Sequence, residues 1–218
     1  MKILDKGFVK IIDYMGGDLS VVNSARVSFG KKKEQFDGKD KKLIKYLWEH
    51  KHTSPFRHAS LQFHIKAPIF VLRQWMKHQV GCSWNEISGR YVQFDYEFYE
   101  PDNYRRQSKS NKQGSLGSIE KQEDAKKVYE TAMLYSIRDY NRLLEMGVCK
   151  EQARMLLPVS LYSECYWTCS LQAVMHFIQL RDEKHAQWEI QEYARAVKEL
   201  IKPIFPHTLE LFDGKSSD

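Results

Sequence analysis

The order of hydrophobic patterns along the chain predicts an α+β fold in which a mixed sheet is flanked by long helices. Apolar and polar residues alternate in the segments 59–67 and 91–98, which is typical of half-buried strands. A segment at about 119–146 instead repeats its apolar residues at helical spacing. With 218 residues and 42% hydrophobic content, we expect residues 1–218 to form a single domain around one core.

The first quarter of the chain predicts one strand, two helices and a turn. Residues 2–15 carry spaced apolar side chains and end at a pair of glycines, which favours a strand followed by a turn. Asp18 is expected to cap the first helix, and Asp40 is expected to begin the second, which runs to His50. The segment 52–58, His-Thr-Ser-Pro-Phe-Arg-His, predicts a turn around its proline.

The middle of the chain contains a segment that is rich in short hydrogen-bonding side chains. The strand at 59–67 leads into a helix over residues 68–81, which begins with proline and ends with glycine. Residues 83–90 follow as a loop that contains far more short hydrogen-bonding side chains than a turn requires, which indicates a ligand site. After the strand at 91–98, residues 101–118 have almost no apolar side chains and predict a mobile surface segment.

The last hundred residues predict mostly helix. The long helix at about 119–146 has aromatic and methionine spacing that is typical of a core or a subunit interface. The elements that follow are expected to be a short helix around 153–157, a strand at 159–169, a helix at 170–181 and a last amphipathic helix that reaches Pro203. The tail after Asp213 is expected to fray.

Charge and hydropathy restrict the class of protein. The formal net charge is +6 and the pI is about 9.0, but lysine and arginine are dispersed among acidic residues instead of forming a stripe. Such a positive field suits nucleotide phosphates as well as nucleic acid, so charge alone leaves both partners open. We find neither a run of about 18 apolar residues nor an amino-terminal signal, and we therefore expect no membrane association and a cytoplasmic location, or the host cytoplasm if the chain is viral.

The cysteines and histidines do not indicate a metal site. The four cysteines have no Cys-x-x-Cys spacing and no plausible disulfide framework, so we expect reduced, largely buried thiols. His50, His52 and His58 lie close together in sequence, but no nearby carboxylate completes a ligand set and no His-Glu-x-x-His pattern is present. The sequence therefore predicts no bound metal.

The polar segment and its neighbours resemble the signature of the flavin-dependent thymidylate synthases, which reads Arg-His-Arg, two residues, then Ser-x-Asn-Glu-x-Ser-x-Arg. The chain matches it at Arg73-Gln74-Trp75, His78, Ser83, Asn85-Glu86, Ser88 and Arg90. Three further segments resemble landmarks of this family: residues 52–58, residues 153–158, and Leu180-Arg181 with residues 185–190. The chain is thus identified as a member of the family, with a corresponding fold.

The chain departs from the family pattern in three places, so we regard it as a divergent member. Lys77-His78-Gln79 stands where the pattern has Arg-His-Arg, and three residues instead of two separate this core from Ser83. Ser170-Leu171-Gln172 stands where the pattern has Asn-x-Arg. Loss of these arginines is expected to weaken binding of the flavin phosphates and adenine.

The resemblance implies that the chain methylates dUMP at C5, with 5,10-methylenetetrahydrofolate as carbon donor, reduced FAD as hydride donor and NADPH as reductant. It implies that Arg181 is catalytic, because a fixed guanidinium group on the uracil edge favours attack by C5. The residues that it assigns to dUMP are Gln74, Lys77, Glu86, Ser88, Gly89, Arg90, Arg154 and Arg181. Those that it assigns to FAD are His52, Ser54, Lys77, His78, Gln79, Asn85, Glu86, Ser170, Gln172, His176 and His185. It further implies a homotetramer whose active sites are shared between subunits.

Two other functions remain open from the sequence. A flavin- and folate-dependent hydroxymethylase of dUMP or dCMP would use the same scaffold, and the altered Lys77-His78-Gln79 core motivates it. A basic nucleic-acid-binding module would explain the net charge, although no nucleic-acid motif is present. An enzymatic nucleophile is not required, since Ser83 and Ser88 lack an evident base and Cys82 lacks an evident activator; we assign both serines to binding.

Overall fold

The computed structural model describes residues 1–93 and 96–212. The strands are β1 (Lys2–Ile3), β2 (Gly7–Met15), β3 (Ser60–Pro68), β4 (Cys82–Glu86), β5 (Arg105–Gln107), β6 (Ser115–Ser118) and β7 (Tyr162–Ser170). The helices are α1 (Asp18–Arg26), α2 (Gly38–Glu49), α3 (Ile69–Trp75), α4 (Gln122–Glu145), α5 (Lys150–Ala153), α6 (Leu171–Arg181), α7 (Trp188–Ile201) and α8 (Pro206–Leu209). This arrangement confirms the α+β class.

Among the described residues, five strands form one sheet in the order β1-β2-β3-β7-β4. Every pairing in this sheet is antiparallel, whereas a mixed sheet was expected. Alternate residues of β3 and β7, such as Phe63 and Trp167, are fully buried beneath the helices, while Tyr166 on the other face is 46% exposed. The sheet therefore has one covered face, which carries the core, and one open face.

The amino-terminal segment differs from its prediction in two ways. Residues 2–15 form a hairpin of β1 and β2, with Leu4 at a φ of 56° in the connecting turn, instead of one strand. Gly17, not Asp18, occupies the cap position of α1. The buried Asp18 carboxylate instead accepts hydrogen bonds from the backbone N–H groups of His207 and Thr208, at 2.7 and 3.1 Å, so it caps α8. Similarly, Asp37 caps α2, and Asp40 lies within its first turn.

The region around the polar segment also differs. Helix α3 ends at Trp75, six residues before Gly81, and residues 82–86 form an edge strand where a loop was expected. Within residues 101–118, for which a mobile surface segment is predicted, β5 and β6 pair as a hairpin. Of the strand expected at 91–98, the described residues contribute only an isolated bridge from Phe98 to Leu161, and residues 94–95 lie outside the described part. The tail after Asp213 also lies outside it.

Helix α4 is long but poorly buried within one chain. Only Tyr140 of its 24 residues is buried, while Val128, Leu134 and Tyr135 are 73%, 68% and 54% exposed. Exposed apolar side chains in such number on one helix are typical of an interface with another chain. Within the described residues, no helix is long and apolar enough to cross a membrane.

Candidate active site

An aromatic cluster fixes the start of the turn formed by residues 76–81, which we call the site turn. The ring of Trp75 stacks on Phe177 of α6, with centroids 4.5 Å apart and planes inclined by 7°. The same ring meets Trp84 of β4 and Trp167 of β7 edge to face. Since these three partners come from different elements, the end of α3 is held against the covered face, and the site turn begins from a fixed position.

His78 and Arg181 form the central contact of the site. The Arg181 Nε–H group donates a hydrogen bond of 3.0 Å to His78 Nε2, and one Nη donates to the backbone oxygen of Gln74 at 3.4 Å. His78 is 8% exposed, and its burial, followed by the charge of Arg181 and the proximity of His176, lowers its pKa to about 4. His78 is therefore neutral at physiological pH, with Nε2 free to accept, and it holds the guanidinium plane in one orientation.

The site turn and α6 enclose a cavity of about 400 Å³, which we call the site cavity. Its lining residues are Lys77, His78, Gln79, Val80, Gln172, Ala173, His176, Leu180 and Arg181. Two cationic side chains, Lys77 and Arg181, contribute to it together with four other polar side chains. Six of the residues predicted for FAD or dUMP are thus brought together by the fold.

The site turn passes over the amino terminus of α6. The Ser170 side chain caps this helix by accepting from the Ala173 N–H group at 3.2 Å, and the Ser170 N–H group donates to the Gly81 oxygen at 3.0 Å. A Cβ atom at Gly81 would lie 2.9 Å from Ser170 Oγ, and Gly81 also has a φ of +72°, so this position requires glycine. A helix amino terminus beside a lysine suits phosphate oxygens, so the cavity residues fit a flavin dinucleotide.

A second group of predicted residues lies beyond the carboxyl end of β4. Arg90 Nε is 3.9 Å from the Glu151 carboxylate, and Arg154 Nε donates to the Glu151 backbone oxygen at 3.3 Å. Arg90 and Arg154, which we call the arginine pair, therefore converge on one residue of α5, and both are exposed. Glu86 accepts a hydrogen bond of 2.6 Å from Ser163 of β7, which orients this carboxylate. Ser88 and Gly89 form the turn between Glu86 and the pair.

The remaining predicted residues are not gathered around the site cavity within one chain. Strand alternation turns Asn85 to the open face of the sheet, opposite to Glu86. His52 and Ser54 are exposed; Ser54 begins the 3₁₀ turn Ser54–Arg57, which packs on α1 and α6, and His52 precedes this turn. His185 lines a separate cavity of about 540 Å³ between the β5–β6 hairpin and the start of α7. The roles assigned to these residues stay predictions.

Several contacts in the region were not anticipated from the sequence. The Gln74 side chain donates to Gln187, and the Trp84 indole N–H group donates to the His78 oxygen at 3.4 Å. A serine within a strand has no sequence pattern that distinguishes Ser163, whereas Gln187 lies inside the family landmark at residues 185–190. Within the described part of the chain, no cluster of three or more His, Cys, Asp or Glu could hold a metal ion.

Comparison with known proteins gives the family. Residues 10–207 match the family model described as thymidylate synthase complementing protein. The chain is 45% identical over 214 residues to the flavin-dependent thymidylate synthase of Kosmotoga olearia, covering 97% of this chain and 92% of that protein. The enzyme of the same name from Thermus thermophilus is 46% identical over 97% of this chain and 77% of its own length.

Solved structures agree with the sequence comparison. The UMP/dUMP methylase PolB from Streptomyces cacaoi, crystallised with 5-Br dUMP, superimposes with a TM-score of 0.86 at 35% identity. The match covers 97% of each chain. Because the family model, the curated relatives and the fold agree over nearly the whole length, the chain belongs to the family of flavin-dependent thymidylate synthases.

Proposed function

We propose that this protein is a flavin-dependent thymidylate synthase that methylates dUMP at C5 to give dTMP. The family membership supports the reaction, and the observation that carries the assignment is the Arg181 guanidinium group, which His78 holds at the edge of the site cavity. The carbon donor is 5,10-methylenetetrahydrofolate, and NADPH reduces the flavin. When bound, reduced FAD supplies the hydride that completes the methyl group.

Arg181 is the group that activates the pyrimidine. Carbon C5 of uracil becomes nucleophilic when negative charge on the ring oxygens and N3 is stabilised. A guanidinium group does this well because its planar fork pairs with two adjacent acceptors and keeps its charge at neutral pH. Since Nε is occupied by His78 and one Nη contacts Gln74, the remaining N–H groups are directed by fixed contacts instead of by a mobile side chain.

The residues around the amino terminus of α6 hold the flavin. Lys77, Gln79, Ser170 and Gln172 supply one cation and three hydrogen-bonding groups at this end of the helix, where partial positive charge favours phosphate oxygens. His78 and His176 lie edge to face, 5.6 Å apart, and supply flat surfaces against an aromatic ring. Lys77 retains the charge of the arginine in the family pattern, but not its paired hydrogen bonds.

A complete site requires more than one subunit, and we propose a homotetramer with shared active sites. Arg90 and Arg154 would hold the nucleotide phosphate, with Gln74, Glu86, Ser88 and Gly89 completing the dUMP pocket. Asn85, His52, Ser54 and His185 would reach the flavin of a neighbouring subunit. Two observations support this arrangement: the predicted residues divide between separate surfaces of one chain, and α4 exposes a large apolar surface.

An anaerobic assay tests the reaction directly. The protein is incubated with dUMP, methylenetetrahydrofolate, FAD and NADPH, and the nucleotide product is identified by mass spectrometry. We expect dTMP, and omission of any one component should abolish it. A protein that cannot be loaded with FAD, or a mixture that gives no modified nucleotide, would contradict the proposal.

The same assay separates two alternative products. A 5-hydroxymethyl nucleotide would identify the hydroxymethylase reaction, in which water instead of hydride reacts with the methylene carbon. Parallel reactions with dCMP and UMP test which base and which sugar the protein accepts. The comparison of sugars is motivated by the PolB structures, which contain both 5-Br dUMP and 5-Br UMP. We expect dUMP to be the best substrate, so a higher kcat/KM for UMP or dCMP would revise the assignment.

A further inference from the structure

Cys82 and Cys169 lie directly opposite each other on β4 and β7, and both side chains face the covered side of the sheet. The Ser170 N–H group donates to the Gly81 oxygen at 3.0 Å, and the Ile87 N–H group donates to the Glu164 oxygen at 2.9 Å. In an antiparallel pair, hydrogen-bonded and non-hydrogen-bonded positions alternate. The Cys82–Cys169 pair, one step from the first of these bonds, therefore occupies a non-hydrogen-bonded position.

This position has the geometry that a disulfide requires. Opposite Cα atoms at non-hydrogen-bonded positions are about 4.5 Å apart, and their side chains approach closely. Disulfides span Cα separations of about 4.4 to 6.8 Å, so the two strands need little movement for a bond between them. The other two thiols have no such neighbour: Cys149 is exposed after α4, and Cys165 lies opposite Glu86.

The two thiols also differ in acidity. The neighbouring Cys169 thiol lowers the pKa of Cys82 to about 7, although partial burial by itself would raise it. Burial raises the pKa of Cys169 well above its ordinary value, and Cys169 is only 2% exposed. A half-buried thiolate next to a buried, protonated thiol is the arrangement of an attacking cysteine and its resolving partner.

We propose that Cys82 and Cys169 form a reversible disulfide in response to hydrogen peroxide. The Cys82 thiolate attacks one peroxide oxygen, the O–O bond breaks, and the departing hydroxide takes up a proton to become water. The Cys169 sulfur then attacks Cys82, the S–O bond breaks, and hydroxide leaves with the Cys169 proton as a second water. The two sulfurs lose two electrons in total, and peroxide gains them. A dithiol restores both thiols by exchange.

The pair is placed where its oxidation would affect the site turn. Cys82 follows Gly81, and Cys169 precedes Ser170, the residue that caps α6 beside the site cavity. A covalent bond here ties the edge strand to its neighbour directly next to the turn that carries Lys77 and His78. The proposal does not depend on the function proposed above, since its chemistry uses only the two thiols and peroxide.

The test is thiol chemistry on the intact, flavin-loaded protein. After treatment with hydrogen peroxide, we expect the four free thiols to fall to two, the mass to decrease by two hydrogen atoms, and proteolysis to yield joined peptides containing Cys82 and Cys169. Dithiothreitol should restore the original mass. The initial rate should rise about tenfold from pH 6 to pH 8, as the Cys82 thiolate fraction increases. Oxygen addition to Cys82 without joined peptides, or no thiol loss, would overturn the proposal.

Three variants separate the roles of the thiols. Cys169→Ser should let Cys82 gain oxygen atoms, because no resolving thiol remains. Cys82→Ser removes the half-buried partner and should abolish the disulfide. This variant tests the proposal even if a substitution at the buried Cys169 prevents folding. The matched control Cys149→Ser should keep the disulfide while starting with one thiol fewer. A disulfide that disappears in the Cys149 variant would show that the pairing is wrong.

Discussion

Arg181 in the site cavity and the two residues of the arginine pair lie in opposite environments. In the cavity, Arg181 donates to His78 and to the Gln74 backbone, and His78 is 8% exposed. The Arg90 side chain is 50% exposed, and its ion pair with Glu151 spans 3.9 Å. A charge held by buried partners is already oriented before substrate binds, whereas an exposed charge becomes ordered only with its ligand or a neighbouring subunit. Substitutions should therefore affect catalysis in the first region and substrate binding in the second.

The largest effect is expected at Arg181. Arg181→Lys keeps a positive charge but loses the planar fork and the Nε–H donor to His78. We expect kcat to fall by about 100- to 1,000-fold, the range for loss of one oriented group that stabilises developing charge. Steady-state kinetics with dUMP measures this, with FAD absorbance and thermal unfolding as controls. A change confined to KM would place Arg181 in binding alone.

The next largest effect on kcat is expected at His78, because it acts through Arg181. His78→Gln keeps an acceptor on a flexible side chain, and His78→Ala removes it. We expect kcat to fall about tenfold for the glutamine variant and about 100-fold for alanine, as for loss of a hydrogen bond to a charged group. Dissociation constants for FAD, measured by fluorescence, separate this role from flavin binding. Equal activity of the two variants would show that the acceptor is not what matters.

The lowered pKa of His78 also predicts how the stability of the protein depends on pH. Its pKa is about 4 in the folded chain against a reference value of 6.5, so between these values the unfolded chain binds more protons. The free energy of unfolding should therefore fall as the pH is lowered from about 6.5 to 4, by about 3 kcal/mol from this group. Urea unfolding at several pH values measures the slope, and His78→Gln should reduce it. An unchanged slope in the variant would mean that His78 is not buried in its neutral form.

The sequence singles out several residues that meet in the structure, but it does not show how they meet. Similarity to family motifs singled out both His78 and Arg181, but they are 103 residues apart, and no local pattern shows that they meet. The helix was predicted to continue to Gly81 because a glycine after apolar residues is a common helix stop. It ends earlier because Trp75 enters an aromatic cluster formed by α6, β4 and β7.

The edge strand was missed for a related reason. Residues 83–90 are polar and suggest a loop, but residues 82–86 pair with β7, and strand propensity depends strongly on such neighbours. The same pairing decides that Glu86 faces the covered side and Asn85 the open side. The prediction that Asp18 caps α1 is wrong, because its carboxylate caps α8 across a separation of 190 residues, which a local pattern does not contain.

Substitutions in the arginine pair should have a smaller effect, and it should appear in KM instead of kcat. Arg90→Ala and Arg154→Ala should each raise KM for dUMP by about tenfold with kcat nearly unchanged, since each removes one charge-assisted hydrogen bond that is equal in substrate and transition state. Thermal unfolding should be unaffected, because both side chains are exposed. Glu151→Gln is the matched control, as it removes the charge near Arg90 without removing either arginine. A loss of kcat at either arginine would remove the distinction between the two regions.

The smallest effect is expected at Lys77, which lines the site cavity but is itself exposed. Lys77→Arg restores the arginine of the family pattern and with it the ability to form two parallel hydrogen bonds to a phosphate. Because the side chain is exposed, the gain is limited to a fraction of a kcal/mol, and we expect FAD to bind about threefold more tightly. Isothermal titration of FAD measures the change, and Lys77→Gln, which removes the charge, should weaken binding by a similar factor. If both variants bind FAD with the same affinity as the unchanged protein, the flavin phosphates do not lie near Lys77, and the exposed part of the cavity binds the nucleotide instead.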